Sequence, residues 1–481
     1  MIFSIIFPLL CGLICIFTKN IRSSRLRDII FVCLQATETV AGLAVVFSDQ
    51  STGGNFSFAK EISIGFTSDM TAKFFCLITV IAWLFVSIYS VVYMKHEKNI
   101  HRFCLFMFLS ESALLGAIFS SNLISMYFFY ELVTLFSMPL VLHSLTKESI
   151  AAAKKYLFYS VAGAFAALFG IFILAKNTTT LDFTAGGTLT QVTPLVLTAI
   201  FMMNIGFGAK AGLFPLHGWL PSAHPVAPAP ASALLSGLIA KAGVLAIIRT
   251  VFFIAGTDAL SGTWVQTTLL ILSLVTVFMG SMMAYREKIF KKRLAYSTVS
   301  QISYVLTGIF LFSEAGIEGA LWQILFHAAV KVGLFLCAGA VIYLYGKTQV
   351  EELEGLGKKM PVTFICFTIL ALSLTGIPPT GGFFSKWYLA SASLEAAQLG
   401  ALSWIIPVVL LVSALLTAGY LLPVSIKGFW GSESAESETK TVKEPLLMVI
   451  PLVLLSLIAL AGGIFANKTG NILSEVASSL F

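Results

Sequence analysis

The sequence predicts an all-α protein built as one polytopic membrane bundle, and three observations lead to this prediction. Hydrophobic residues occupy 58% of the 481 positions and charged residues only 11%, a balance typical of membrane proteins. Apolar runs near twenty residues recur along the whole chain, and a helix needs about that length to cross a bilayer. The strands of an outer-membrane barrel would instead give alternating runs of about ten residues.

Fourteen apolar segments are long enough for membrane-spanning helices. They lie near residues 1–18, 28–48, 72–94, 103–121, 123–145, 155–175, 193–213, 229–254, 263–284, 294–312, 316–345, 361–391, 402–426 and 445–467. The first segment lacks a basic leader and a small-residue cleavage site, so we expect a retained span rather than a signal peptide. Segment 49–70 reads as an outside loop in which Gly53 and Gly54 allow a hairpin, and Ser432 to Glu444 read as a solvated cytoplasmic loop.

Basic residues are distributed unevenly between the two sides of these spans. Of the 30 Lys and Arg residues, 21 lie in loops after odd-numbered spans and five in loops or ends after even-numbered spans. The positive-inside rule therefore predicts a multi-pass protein of the cell inner (cytoplasmic) membrane with both termini on the non-cytoplasmic side. This asymmetry also explains the net charge of +7, and no soluble segment is long enough to bind nucleic acid.

The seventh and eighth spans each carry a lysine in apolar surroundings, Lys210 and Lys241. The backbone between them is interrupted by Pro215, Pro221, Pro225, Pro228 and Pro230. An ammonium group in hydrocarbon costs about 3 kcal/mol or more, so it is tolerated where it faces a bundle interior, a carboxylate or water. Broken helices at membrane depth have the same requirement, which predicts a polar functional region here. The alternative is an ordinary extramembrane loop with lysines that snorkel from helix ends.

The second half of the chain repeats this pattern. His327 and Lys331 are four residues apart and share one face of the eleventh span. In the twelfth span, Pro378 and Pro379 interrupt the helix before Lys386. Spans 7 and 12 must run in opposite directions, so the pattern predicts an inverted repeat with broken helices at corresponding places. The alternative is that the double proline only kinks a packed helix and Lys386 anchors its end.

Three acidic residues lie within apolar spans, namely Glu38, Glu111 and Glu131. Glu111 and Glu131 are candidates for proton transfer, and the alternative for all three is a protonated, hydrogen-bonded structural carboxyl group. The seven cysteines all fall in apolar runs without a CxxC motif or a cysteine-histidine cluster. The sequence therefore predicts no metal site and no cofactor.

Four motifs together identify a family resemblance. They are KAGLFPLHGWLPSAHPVAPAPASALLSG, YELVTLFSMPLVL, LFHAAVKVGLFL and GIPPTGGFFSKWYL. These motifs resemble the antiporter-like membrane subunits shared by respiratory complex I, Mrp-type cation/proton antiporters and membrane-bound hydrogenases, over roughly residues 70–430. The run SGLIAKAGVLAIIR looks most like the D-type member of Mrp antiporters and its hydrogenase counterparts.

The resemblance implies one fourteen-helix membrane domain over 1–481, without a redox centre of its own. Its parts would be the N-terminal spans in 1–102, two inverted five-helix repeats in 103–254 and 263–426, and a last span in 445–467. It also implies that Glu131 pairs with Lys210, that Lys241 and Lys386 continue the path, and that His327 and Lys331 lie between the two halves.

The function that follows is proton translocation, with Na⁺/H⁺ antiport as one form of it, by a subunit of a multisubunit membrane complex. Titratable groups across the bilayer midplane would relay the proton, and we include Glu111 among them. One rival is a self-contained secondary cation transporter, although a series of lysines would repel its substrate. Another is an integral enzyme with quinone or haem chemistry, for which histidine pairs or cysteine ligands are missing.

Overall fold

A computed structural model describes residues 1–49, 52–59, 62–431 and 443–481. Its helices are α1 (Ile2–Phe17), α2 (Ser24–Val46), α3 (Met70–Tyr93), α4 (Ile100–Ile118), α5 (Leu123–Val141), α6 (Lys147–Leu174), α7 (Pro194–Ala211), α8 (Leu220–Val226), α9 (Ala229–Leu234), α10 (Lys241–Ile248), α11 (Thr257–Leu260), α12 (Trp264–Arg286), α13 (Phe290–Phe310), α14 (Glu314–Tyr345), α15 (Leu356–Lys359), α16 (Pro361–Thr375), α17 (Gly381–Glu395), α18 (Leu402–Trp430), α19 (Leu446–Ile464) and α20 (Ala466–Ser478). Within these described ranges, twelve helical segments are long and apolar enough to cross a membrane. The chain is therefore a mostly helical, multi-span membrane protein.

The predicted spans correspond to helices, and two spans have irregular backbones, of which only the break in the twelfth was predicted. The twelfth span consists of two helices, α16 and α17, separated at residues 376–380. The eighth span is continuous over Ala229–Ala255, but its backbone widens into π-helical turns at Leu235–Ile239 and Arg249–Ala255. Such turns shift the side chains that follow them and are frequent at functional sites. Lys241 begins the helix directly after the first of these turns.

A hairpin of two antiparallel strands accompanies the helices. Strand β1 (Thr52–Ala59) pairs with β2 (Ile62–Thr67), as the glycines of segment 49–70 had allowed. The hairpin is attached to the start of α5, where Gly65 N donates to Ser125 Oγ at 2.9 Å. The predicted solvated loop at Ser432 to Glu444 lies outside the described residues except for its last two positions.

Two helical segments form the centre of the bundle. In the most apolar window of each, burial reaches 100% for Ala229–Ala255 and 94% for α14, compared with 28% for α2 and 33% for α18. The outer helices expose apolar side chains such as Phe158 and Leu411, as expected of surfaces that face lipid. Polar groups on the central segments must therefore find partners inside the protein.

A short amphipathic helix that the span count did not predict follows the last spanning helix. The buried face of α20 carries Leu473, Val476 and Ala477, the spacing of one helical stripe. Its C-terminal neighbour Phe481 contacts Phe252 with ring centroids 5.3 Å apart. Helix α20 itself packs mainly against α14, and the residue at the end of the chain, Phe481, contacts the end of the central segment Ala229–Ala255.

Each of the two predicted breaks begins with a glycine in the left-handed region. Helix α7 ends at Gly212 (φ +83°), and α16 ends at Gly376 (φ +93°). Glycine adopts this conformation without the steric penalty of a Cβ atom and commonly ends helices. The breaks place Lys210 in the last turn of α7 and Lys386 in α17, just after the second break.

Candidate functional site

Lys210 is completely buried and bound by α5. Its Nζ donates to the backbone oxygen of Tyr130 at 2.9 Å and to Thr134 Oγ1 at 2.6 Å. The ammonium also lies 4.0 Å from the centroid of the Tyr130 ring, which attracts a cation. Buried at 0% exposure, this lysine does not snorkel to a surface.

Glu131 lies beside this site without forming the ion pair that the resemblance implied. The described ion pairs join Arg249 to Asp69, Lys288 to Glu351 and Lys292 to Glu287. Glu131 follows Tyr130 directly, and its Oε1 is buried without a hydrogen-bond partner among the described atoms. Lys210 and Glu131 are close enough to interact electrostatically, so the structure contains the two groups in an open arrangement.

Lys241 and His327 are in direct contact. Nζ of Lys241 lies 3.0 Å from Nδ1 of His327, and it also donates to the backbone oxygen of Gly237. Both residues belong to the central segments and are at most 3% exposed. The Gly237 carbonyl is available because it lies in the π-helical turn before Lys241.

His327 and Lys386 line one small cavity. The cavity has a volume of about 10 Å³ and is also lined by Gln301 and Gln323, close to the least volume that holds one water. Nε2 of His327 has no hydrogen-bond partner in the described part of the chain. Lys386 Nζ donates to the carbonyl of Leu374 at 2.6 Å, an oxygen in the last turn of α16 before the break.

Lys331 starts a series of hydrogen-bonded side chains, which we call the polar chain. Its Nζ donates to Ser297 Oγ at 2.7 Å and to Leu294 O at 3.1 Å. From Ser297 the contacts pass through Tyr420 (2.7 Å), Thr417 (3.2 Å), Gln301 (3.5 Å), Gln323 (2.8 Å) and Ser385 (2.5 Å). Ser385 precedes Lys386, so the polar chain connects the surroundings of two buried lysines.

Glu111 is separate from these groups. It is fully buried on α4, and its Oε1 accepts from Gln35 Nε2 at 2.8 Å. Among the described contacts it has none with Lys210, Lys241, Lys331 or Lys386. No three His, Cys, Asp or Glu side chains of the described residues are arranged to hold a metal ion.

Several ionisable residues between or at the ends of spans are buried although the sequence did not indicate it, and three of them are at most 5% exposed and have defined contacts. Arg249, counted as a loop residue, is fully buried and forms a two-point ion pair with Asp69 at 2.5 and 2.9 Å. Lys291, also counted in a loop, is 5% exposed and donates to the backbone oxygen of Ala227. His224 is fully buried against Phe335, with ring centroids 4.6 Å apart. Their positions at span ends concealed their burial.

Five titratable groups are buried or partly buried inside the bundle, and we call this set the lysine row: Lys210, Lys241, His327, Lys331 and Lys386. Four of its members are connected. Lys241 contacts His327 directly, His327 and Lys386 line the same cavity, and the polar chain leads from Lys331 to Ser385, the neighbour of Lys386. The structure describes no direct contact between Lys210 and Lys241. His327 lies close enough to Lys241, Lys331 and Lys386 for their charges to interact, so these groups affect one another's charge state.

Two family models match the chain. Residues 120–417 match the transmembrane model described as NADH:quinone oxidoreductase/Mrp antiporter. Residues 56–104 match the N-terminal model of NADH-ubiquinone oxidoreductase (complex I), chain 5. The first match covers more than half of the chain and includes every member of the lysine row.

Curated relatives and solved structures agree with these matches. The N-type member of the NADH-quinone oxidoreductase of Desulforudis audaxviator is 34% identical over 75% of this chain and 73% of its own length. The D-type member of the Na(+)/H(+) antiporter of Alkalihalophilus pseudofirmus is 31% identical, over 84% and 81% respectively. A chain of the Mrp complex from Dietzia sp. superposes with a TM-score of 0.86 at 24% identity, over 99% of this chain and 97% of that one. This last similarity concerns the fold alone.

Proposed function

Because the chain belongs to the NADH:quinone oxidoreductase/Mrp antiporter family of membrane subunits, we propose that it translocates protons as one subunit of a multisubunit membrane complex. Its relatives include a subunit of a quinone oxidoreductase and a subunit of a Na(+)/H(+) antiporter. The partners are therefore other membrane subunits, and Na⁺/H⁺ antiport is one form that the transport takes.

One observation carries this proposal: buried lysines without a carboxylate in contact lie along the centre of the bundle. Two unit charges about 4 Å apart interact by about 4 kcal/mol at an effective dielectric constant near 20. Lys241 Nζ and His327 Nδ1 are 3.0 Å apart, so protonation of one strongly disfavours protonation of the other. A proton that arrives at Lys241 is thereby passed toward His327 and the cavity beside Lys386.

The open arrangement of Glu131 and Lys210 supports a switching role for this pair. Lys210 is held by Tyr130 O and Thr134, next to the carboxylate that would stabilise its charge. Closing the pair favours the ammonium form, and opening it favours release of the proton. We propose that Lys210 releases its proton toward Lys241 when the pair opens.

The proposed architecture has fourteen spans in one membrane domain. Helix α13 and the broken pair α16 and α17 would cross the membrane in addition to the twelve long apolar segments. The two inverted repeats would comprise 103–254 and 263–426, flanked by 1–102 and 445–467. Both termini would lie outside the cytoplasm, in the inner membrane.

Substitution of Lys210 tests the relay. Lys210→Ala should leave the complex assembled and nearly abolish coupled proton movement. Lys210→Arg should be almost as damaging, because a guanidinium does not release its proton near neutral pH. The measurement is proton pumping in native membrane vesicles, normalised to assembled complex, with the exposed Lys176→Ala as control. Near-normal pumping by Lys210→Arg would show a structural charge instead of a relay.

A self-contained secondary cation transporter is the alternative function, and the similarity to a member of a Na(+)/H(+) antiporter favours it. The purified chain alone in liposomes separates the two functions. We expect no coupled transport by the chain alone, whereas coupled uptake there would establish the alternative.

A further inference from the structure

Two buried glutamates lie away from the lysine row, on α2 and α4. Glu38 and Glu111 are both 0% exposed. Gln35, which donates to Glu111 Oε1, is three residues before Glu38 on the same face of α2. Three carboxylate oxygens, both of Glu38 and Oε2 of Glu111, have no hydrogen-bond partner among the described residues. The two carboxyl groups are close enough to interact electrostatically, and most of their oxygens have no hydrogen-bond partner among the described residues.

Other polar side chains lie next to this glutamate pair. Ser87 Oγ of α3 donates to Gln35 Oε1 at 3.3 Å, which orients the amide so that its NH₂ group points to Glu111. Ser4 of α1 lies beside Glu38, and its hydroxyl is 1% exposed and has no partner in the described chain. Helices α1, α2, α3 and α4 thus each contribute a polar side chain to a site at which free oxygens predominate.

The positive charge near the glutamate pair does not balance two ionised carboxylates. The ionisable groups close enough to interact with the carboxyl groups are the N-terminal ammonium of Met1 and the thiols of Cys11 and Cys76. No described Lys or Arg side chain forms an ion pair or hydrogen bond with Glu38 or Glu111. Two ionised carboxylates in an apolar bundle are costly unless a proton or another cation joins them.

We propose that Glu38 and Glu111 form a monovalent cation site at which Na⁺ and a proton compete. Oxygen ligands from carboxylate and hydroxyl groups suit hard cations. The lysine row, in contrast, repels cations. The site goes beyond the proposed relay, because it adds a second transported or regulatory cation, and it separates Glu111 from the relay residues.

The site is close to the lysine row on one side. Leu114, one helical turn after Glu111, lines a cavity together with Thr79 and Lys241. A cation exchanged between Glu38 and Glu111 would therefore change the electrostatic potential at Lys241. This position gives a physical route by which sodium occupancy affects the charge of the relay.

Sodium binding to the intact complex tests the proposal. The complex is purified through a tag on this chain, and ²²Na⁺ binding is measured per assembled complex at pH 8.5 and pH 6.5. We expect saturable binding that weakens at the lower pH, and a loss of affinity of about tenfold or more in Glu38→Gln and in Glu111→Gln. The exposed Glu314→Gln should bind as the unmodified chain does.

Two further variants make the result unambiguous. Glu111→Asp keeps the charge and should retain more affinity than Glu111→Gln, which a simple folding defect would not produce. Lys210→Ala should lose pumping and keep sodium binding, so failure of the relay and failure of this site are separate outcomes. Unchanged ²²Na⁺ affinity in both glutamine variants, or the absence of saturable binding, would overturn the proposal.

Discussion

Arg249 is the largest buried charged side chain in the described part of the chain, and its surroundings indicate a structural role. Its guanidinium contacts Asp69 through two nitrogens and lies 4.9 and 4.6 Å from the rings of Phe183 and Phe253. A guanidinium does not exchange its proton near neutral pH. The pair therefore attaches the start of α3 to the end of the central segment Ala229–Ala255 and does not take part in proton transfer.

Removing the carboxylate should destabilise this attachment. Asp69→Asn leaves Arg249 buried without its partner, for which the expected cost is up to about 3–5 kcal/mol. The unfolding midpoint of the purified protein should fall clearly, whereas the exposed Asp182→Asn should change stability by no more than about 0.5 kcal/mol. A midpoint equal to that of the control would mean that the ion pair contributes nothing.

The same pair has a defined pH dependence. Burial raises the pKa of Asp69, but the charge and hydrogen bonds of Arg249 outweigh it and hold the pKa below its usual value. A carboxyl group with a depressed folded pKa contributes stability above its unfolded pKa and loses it as the pH falls through the folded pKa. The free energy of unfolding of the unmodified protein should therefore fall more steeply with decreasing pH than that of Asp69→Asn, which lacks this carboxyl group. Measuring the unfolding midpoint of both proteins at several acidic pH values checks this.

At this scale the sequence identified the buried lysines but not their partners. Lys210, Lys241 and Lys331 were recognisable because apolar residues surround them. Their ligands include the backbone oxygens of Tyr130, Gly237 and Leu294, and a backbone oxygen has no signature in a sequence. The expected contact with Glu131 was therefore replaced by one with its neighbour, which offers a carbonyl on the same helix.

At the scale of elements, the polar chain joins four helices of the second half. It begins at α13 and α14, passes through α18 and ends on α17. Tyr420 occupies its middle and is 1% exposed. The chain holds Ser297 in place as a ligand of Lys331, because the Tyr420 hydroxyl donates to Ser297 Oγ.

Tyr420→Phe should interrupt the polar chain with little change of shape. Loss of one buried hydrogen bond costs about 1 kcal/mol, so we expect proton pumping to fall by about fivefold to tenfold. Tyr89→Phe is the matched control, since it removes a buried hydroxyl that donates to Leu336 O at 2.8 Å and is not a member of the polar chain. Equal pumping in the two variants would contradict a role for the chain.

Helices were predicted better than their ends. Apolar length located the spans, but α13 begins at Phe290 rather than near residue 294, which brings Lys291 into the bundle. Helix α20 is too short and too polar to resemble a span of about eighteen apolar residues. Its sequence signal is the amphipathic spacing of Leu473, Val476 and Ala477, which apolar length does not detect.

At the scale of the whole molecule, the charge asymmetry remains the main guide to orientation. Lys291 was counted in a loop after an odd-numbered span and Arg249 in one after an even-numbered span, and both are buried. Leaving them out removes one basic residue from each side, so the excess of basic residues on the predicted cytoplasmic side is unchanged. The proposed repeats and domain limits follow from the order of spans and the two breaks. The repeats relate segments that are distant in sequence, and a local sequence pattern does not detect such a relation. The only local sign of it is that Lys210 and Lys386 occupy matching positions beside the two breaks.

Reporter fusions test this orientation. A fluorescent protein inserted after Lys347 should fluoresce because it remains in the cytoplasm, whereas alkaline phosphatase fused after Phe481 should be active because it is exported. The reciprocal fusions should be inactive and serve as controls. If both positions lie on the same side, one span has been miscounted and the inverted repeat fails.

The two glutamines in the polar chain have a consequence for how charge moves through the bundle. A hydroxyl group accepts a proton and gives up its own, so hopping is feasible through Ser297, Tyr420 and Thr417. A primary amide does the same only by converting to a high-energy tautomer, and the Gln323 Nε2 to Gln301 Oε1 contact of 2.8 Å joins two of them. The polar chain therefore transmits electrostatic polarisation from Lys331 toward Lys386. It does not conduct protons between these two lysines, because the two amides interrupt proton hopping.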